Sequence, residues 1–199
     1  MSGIALALEN YPDADQNDWF EIIEGVKTMA ASAGGDHNAI AARMYSRFDD
    51  YFSDHYIKAV TFIDVDVFLP DGNIFRPDLC VVSDLSKVGE DMKVHGVPDL
   101  CVEVLSPSTA KNDRGIKKNI YARNGVREYW IVDRRAKDVY VYKLDGDHYE
   151  LDEVYHSYSK GELSSLTDAE RAEVKDKIPV GIYPNLLIDL KYIFRSLFD

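Results

Sequence analysis

Two carboxylates interrupt otherwise apolar segments: Asp78 in Arg76-Pro77-Asp78-Leu79-Cys80-Val81-Val82, and Glu103 in Leu100-Cys101-Val102-Glu103-Val104-Leu105. A carboxylate in a buried strand is costly unless a cation pairs with it. For either acid alone, a salt bridge to a core arginine or a capped strand end is the plain reading; two together weaken it. A phosphodiester is protected by its own negative charge, so cutting it calls for a divalent cation that neutralises this charge and lowers the pKa of an attacking water. Magnesium takes oxygen ligands, often one or two carboxylates completed by water and the substrate phosphate. Two acids arriving from neighbouring strands, with an ammonium group to stabilise the developing charge, would meet that requirement.

Asp99 competes with Asp78, because Pro98-Asp99 repeats the Pro-Asp pair. It lies four residues before Glu103 on one strand, about 13 Å away at the usual rise, too far for one ion to bridge. Asp99 therefore reads as a strand-entry residue. The cation cannot come from two positions after Glu103, where Leu105 stands. Lys117 shares a helix face with Asp113 and Tyr121, beside the apolar stripe of Ile116 and Ile120, so it can emerge next to the core. Lys118, rotated by about 100°, should face solvent.

The elements that must position these groups follow from periodicity. Residues 1–18 read as an N-terminal arm and 19–199 as a single domain. Trp19 to Met29 suggests paired short strands turning at Glu24-Gly25. His37, Ile40, Ala41, Met44, Phe48, Tyr51 and Phe52 recur at helical spacing, with Asp36 able to cap the first turn. Ala59 to Leu69 alternates as a strand, Pro70 to Asn73 is a turn, and Ile74 to Val82 returns as the second arm of an antiparallel hairpin. Val97 to Leu105, apolar on both faces, reads as a central strand. A helix capped by Asp113 runs to Asn124 and stops at Gly125. Strands follow at Arg127 to Asp133, Asp138 to Leu144 and His148 to Tyr155. Leu166 to Asp176 and Asp189 to Phe198 read as helices of a peripheral cap. The sum is an α/β (α+β) class: a mixed central sheet flanked by helices.

Length and composition agree with one domain: 199 residues, 46% of them apolar, can bury a single core. No long apolar run and no signal-peptide pattern appears, which predicts a soluble, cytoplasmic protein without a membrane partner. Cys80 and Cys101 sit among valines and leucines and read as reduced core residues. The net charge of −12 argues against indiscriminate nucleic-acid binding. Its distribution matters more. Between Lys111 and Lys137 nine basic residues face three acidic ones, a net of +6, leaving −18 for the rest.

The run VPDLCVEVLSPSTAKND, followed by Lys117, Tyr121, GV and EYWIVD, resembles the Uma-two family of restriction-endonuclease-like proteins, a branch of the PD-(D/E)XK nuclease superfamily. FEIIEG, the DHNAIA helix start and RPDLCVV agree with it, so the resemblance covers roughly residues 19 to 144. It implies a restriction-endonuclease-like fold in which Asp78 and Glu103 bind the metal, helped by the Val104 carbonyl, while Lys117 supplies the cation that is displaced here from strand to helix. Asp113 and Tyr121 match the pattern as supporting residues. His37 and Glu24 fall in matching regions, although His37 also reads as a core-edge histidine and Glu24 as a turn residue. Val26 stands where the family often has glutamate.

The expected function is a Mg2+-dependent endonuclease (Mn2+ also serving) that hydrolyses DNA, with a metal-bound water as nucleophile. A catalytically inactive nuclease-like domain that binds nucleic acid or protein is the alternative. A purely structural domain, its acids bridged to Arg76 or Lys117, is a third reading. Edge strands and the tyrosines at 140, 142, 149 and 155 permit a homodimer.

Overall fold

A computed structural model describes residues 20–29 and 34–196; the expected arm, Trp19, the stretch 30–33 and the last three residues of the chain lie outside them. The expected first hairpin is present: β1 (Phe20–Ile23) and β2 (Val26–Met29) pair antiparallel about Glu24-Gly25. Both turn residues have positive φ, which glycine adopts freely and glutamate does not. Helix α1 (Gly35–Asp54) buries His37, Ile40, Ala41, Met44, Phe48 and Phe52, the face that the spacing predicts. Its N-cap is Gly34 rather than Asp36, whose carboxylate instead accepts the His37 N–H at 3.0 Å.

The long central hairpin is where alternation misleads. In place of two continuous strands the chain forms β3 (Val60–Phe62), β4 (Val67–Phe68), β5 (Ile74–Phe75) and β6 (Leu79–Val82). β3 pairs with β6 in one sheet and β4 with β5 in another. The break falls at Asp64, whose φ is +51°. Each arm thus changes sheets midway, and Asp78 lies at the crossing.

Together with β7 (Val94–His95), β8 (Leu100–Val104), β9 (Glu128–Asp133), β10 (Asp138–Asp145) and β11 (His148–His156), these strands make two sheets. The larger has the order β11-β10-β9-β8-β6-β3, and the smaller β2-β1-β5-β4-β7. Only β8–β9 is parallel in the larger sheet, so β8 is central, as its two apolar faces require. One face of that sheet, through Leu79, Val81, Leu100, Val102 and Trp130, packs on α1. The opposite face, through Cys80, Cys101, Tyr129 and Ile131, packs against the second long helix and the small sheet. Cys80 and Cys101 are register partners and both remain free thiols, pushed up in pKa by burial.

That helix, α2 (residues 110–124), starts three residues before Asp113, so Asp113 is an interior residue and not its cap. It widens into a π turn over Asp113–Lys117 before resuming as Lys118–Asn124 and ending at Gly125, φ +90°. Lys118 is half-exposed, its ammonium 4.6 Å from the Tyr142 ring centre.

The tail differs most from expectation. Helices α3 (Lys160–Ser165) and α4 (Asp168–Ala172), each with a capping box, are followed by a hairpin of β12 (Lys177–Val180) and β13 (Tyr183–Asp189), then a single turn α5 (Leu190–Ile193). Ile178, Val180, Ile188, Leu190 and Ile193 are buried in the core that α1 covers. The tail is a wall of that core and not a peripheral cap. Glu128 fastens it: its carboxylate accepts the N–H groups of Gly181 and Ile182 and the indole N–H of Trp130, each near 3 Å. Replacing Glu128 with Ala strands these donors and is expected to cost about 2 kcal/mol in urea denaturation, while Glu128→Gln costs less because an acceptor remains.

Candidate active site

The register between β6 and β8 decides the geometry. Cys80 faces Cys101 and Leu79 faces Val102; one further step puts Asp78 opposite Glu103. Opposed residues of antiparallel strands carry their Cβ atoms about 5 Å apart. Both acids share parity with Cys80 and Cys101, so they point to the α2 side of the sheet. The π turn brings Lys117 over this point, with Nζ 2.7 Å from Glu103 Oε1.

Lys117 is almost wholly buried, at 3% exposure, and meets two further carboxylates: Glu21 at 2.8 Å and Asp113 at 3.5 Å. Tyr121 donates its hydroxyl to Glu103 Oε1 at 3.1 Å. Tyr129 anchors the π turn by donating to the Asp113 carbonyl at 3.0 Å. Asp78 is held differently. Its Oδ2 accepts the Val104 N–H at 2.6 Å and its Oδ1 lies 2.8 Å from His37 Nε2.

The chain therefore brings together Asp78, Glu103, Lys117, Asp113, Tyr121 and His37. Glu24 stands apart: exposed at the β1–β2 turn, it pairs with Arg123 at 3.3 Å. The acid that β1 does deliver is Glu21, three residues earlier, which also accepts the Arg76 N–H at 3.0 Å. Its signal was an acid inside a four-residue strand, visible in FEII but indistinguishable there from an exposed position. Arg76, offered as a partner for the isolated acids, instead binds Asp66 at 2.6 Å. Asp99 is fixed by Ser83 and Arg127, each at 2.6 Å, a structural role at the strand entry.

Burial raises the pKa of Glu103 well above the usual carboxylate range; Lys117 opposes this, and the charges of Asp113, Asp78 and Glu21 add to it. Burial likewise raises Asp113 against the pull of Lys117. For Lys117, burial lowers the pKa, but Glu103, Glu21 and Asp113 outweigh it and keep the ammonium charged. Burial and the charge of Glu103 keep Tyr121 protonated as a donor. Three carboxylates, those of Glu21, Glu103 and Asp113, thus meet one buried cation, while Asp78 beside them is paired with His37.

For His37, burial lowers the pKa, but the contact with Asp78 and the charges of Asp78 and Asp64 more than compensate, so it lies above 6.5. A folded-state pKa raised above the unfolded value stabilises fully below about pH 6.5 and loses that contribution as pH rises through the folded value. Thermal melts of metal-free protein are expected to fall over that window, and His37→Gln is expected to flatten the fall.

Among the described residues, no group of three or more His, Cys, Asp or Glu side chains is arranged to hold a metal ion. A two-carboxylate set is nevertheless what magnesium accepts. Clustered buried carboxylates, with both Asp113 oxygens lacking a hydrogen-bond partner, suit a hard cation. Among the described residues no helix is long and apolar enough to cross a membrane.

Fold and site define a mixed-sheet α+β protein with an acid-rich centre at the crossing of two sheets, closed by a helix-borne lysine. Residues 6–180 match the family model described as "Uma2: Putative restriction endonuclease", and the chain belongs to that family. A solved structure of a putative nuclease from Anabaena variabilis matches with a TM-score of 0.70, over 94% of this chain and 96% of that one, at 19% identity. The two share a fold. No curated protein matches the sequence.

Proposed function

We propose that the chain is a Mg2+-dependent endonuclease that hydrolyses DNA phosphodiesters. The observation that carries this reading is the convergence of Glu21, Glu103 and Asp113 on Lys117, with Asp78 beside them on the Val104 N–H and His37. Asp78 and Glu103 would hold the ion, as neighbours across β6 and β8. When bound, a divalent cation supplies charge neutralisation at the scissile phosphate and a more acidic water.

The residues themselves divide the remaining work. Val104 N–H and His37 orient Asp78, and Tyr121 orients Glu103. Lys117 carries the fixed positive charge that stabilises a transition state richer in negative charge than the substrate. Glu21 and Asp113 keep that ammonium in place.

The test is nicking of supercoiled plasmid with Mg2+, with Mn2+ and with EDTA, paired with calorimetric titration of the metal. Cleavage with either metal and none with EDTA is expected. Because the Glu103 proton is held tightly, metal binding is expected to release protons and to strengthen as pH rises. One observation favours a second reading, an inactive domain that binds nucleic acid or protein: Lys117 already sits on Glu103 at 2.7 Å, and the described residues offer no set of three metal ligands there. Metal binding without cleavage of any DNA would select it.

A further inference from the structure

A cavity of about 250 Å3 lies between the first turns of α1 and residues 193–196, at the end of α5. Arg43, Arg134, Lys137 and Arg195 contribute to its wall, with Asp36 as the acid among them and Phe194 as an apolar side. In a chain of net charge −12, four cations against one carboxylate are a local reversal. Asp36 is engaged by Arg134. Arg43 donates to the carbonyls of Ile193 and Arg195, at 3.0 and 2.6 Å, which gives it hydrogen bonds but no counter-charge. Burial, and then the charge of Arg195, hold the pKa of Arg43 down, so these two guanidinium groups feel each other. Arg195 lies over the Tyr192 ring, and neither it nor Lys137 has an ion pair among the described residues. The Nε of Arg134 is buried without an acceptor.

Crowded cations are unfavourable until an anion joins them. Guanidinium groups suit phosphate because their planar donors match its oxygens in pairs. Asp36 immediately precedes His37, so this wall and the carboxylate centre share the first turn of α1. Two of the cations, Arg134 and Lys137, come from the basic segment that stood out in the sequence. We infer that this pocket takes a backbone phosphate of the nucleic-acid strand that is held at Asp78 and Glu103. The inference rests on the nuclease reading for the identity of the strand, and it explains how an acidic protein holds a polyanion: by a local cationic seat.

The test separates binding from cutting. Anisotropy of labelled single- and double-stranded DNA is measured in EDTA with the full chain, over about 50 to 200 mM salt. Wild type is compared with the double variant Lys137→Glu/Arg195→Glu and with a control of equal charge change elsewhere, Lys58→Glu/Lys160→Glu. The pocket variant is expected to bind on the order of tenfold more weakly, with a salt slope smaller by about two, and the control to change far less. If the reversal unfolds the chain, as circular dichroism would report, Lys137→Ala/Arg195→Ala serves, with the same expected change in slope. Equal loss in pocket variant and control overturns the inference even if wild type nicks plasmid. Pocket-dependent binding by a chain that never nicks leaves the seat standing and removes the nuclease reading. Absence of DNA binding, with inorganic phosphate shifting pocket amide signals in NMR, overturns the strand assignment in favour of a free anion.

Discussion

Replacing Lys117 with Met is expected to destabilise the protein by about 3–5 kcal/mol, because removing one partner of a buried ion pair leaves its counter-charges buried and unpaired. Three carboxylates depend on this ammonium, Glu103 at 2.7 Å, Glu21 at 2.8 Å and Asp113 at 3.5 Å. Chemical denaturation measures the loss. It is expected to shrink when Glu103→Gln is added, since one uncompensated charge disappears; a double-mutant cycle therefore shows a coupling of about 1 kcal/mol or more between positions 117 and 103. Independent, additive effects would mean that the two side chains do not share a site. Cleavage is expected to vanish in Lys117→Met, but stability and activity fall together there, so this variant alone does not assign a catalytic role.

Glu103→Gln does separate them. Glutamine keeps the shape and an acceptor for Tyr121, and Lys117 retains Glu21 as a partner. Burial already raises the pKa of Glu103, so the wild-type carboxylate is costly to ionise, and its replacement is expected to change stability by no more than about 1 kcal/mol, in either direction. Plasmid nicking is expected to drop on the order of 10^3-fold, because the amide is a poor ligand for a hard cation and contributes no charge. Asp78→Asn should follow the same pattern with a larger stability cost, since Asp78 also accepts the Val104 N–H and faces His37. A chain that keeps full metal affinity after either substitution would refute the two-carboxylate assignment. A stable Glu103→Gln protein with unchanged nicking would place the chemistry elsewhere.

The local period of the sequence was sufficient for much of this. Helix α1 buries the residues that its spacing selects, and β8 to β11 lie where apolar alternation and turn residues place them, because helix and strand periods are carried by neighbouring residues. The chemical oddity of Asp78 and Glu103 was equally legible, as was the pairing of Lys117 with Asp113 and Tyr121 on one helix face. Alternation failed over residues 59–82, where it continues smoothly through a change of sheet, since a strand's inward face looks the same whichever sheet it joins. The tail differs in another way: its sequence reads as helices at Leu166 to Asp176 and Asp189 to Phe198, yet β12 and β13 form a hairpin between them and Ile178, Val180 and Ile188 close the core over α1, a long-range role that leaves no local signal.

The sequence by itself thus determined the first hairpin, α1, the strands β8 to β11 and the residues whose burial would be expensive. Tertiary structure alone decided which of those residues meet. Glu21 reaches Lys117 across 96 positions of the chain, Glu24 is turned away toward Arg123, and a π turn rather than a plain helix aims the lysine. Such contacts depend on sheet order and on where a strand leaves one sheet for another, and these are set by the packing of the whole core, which no short window of residues contains.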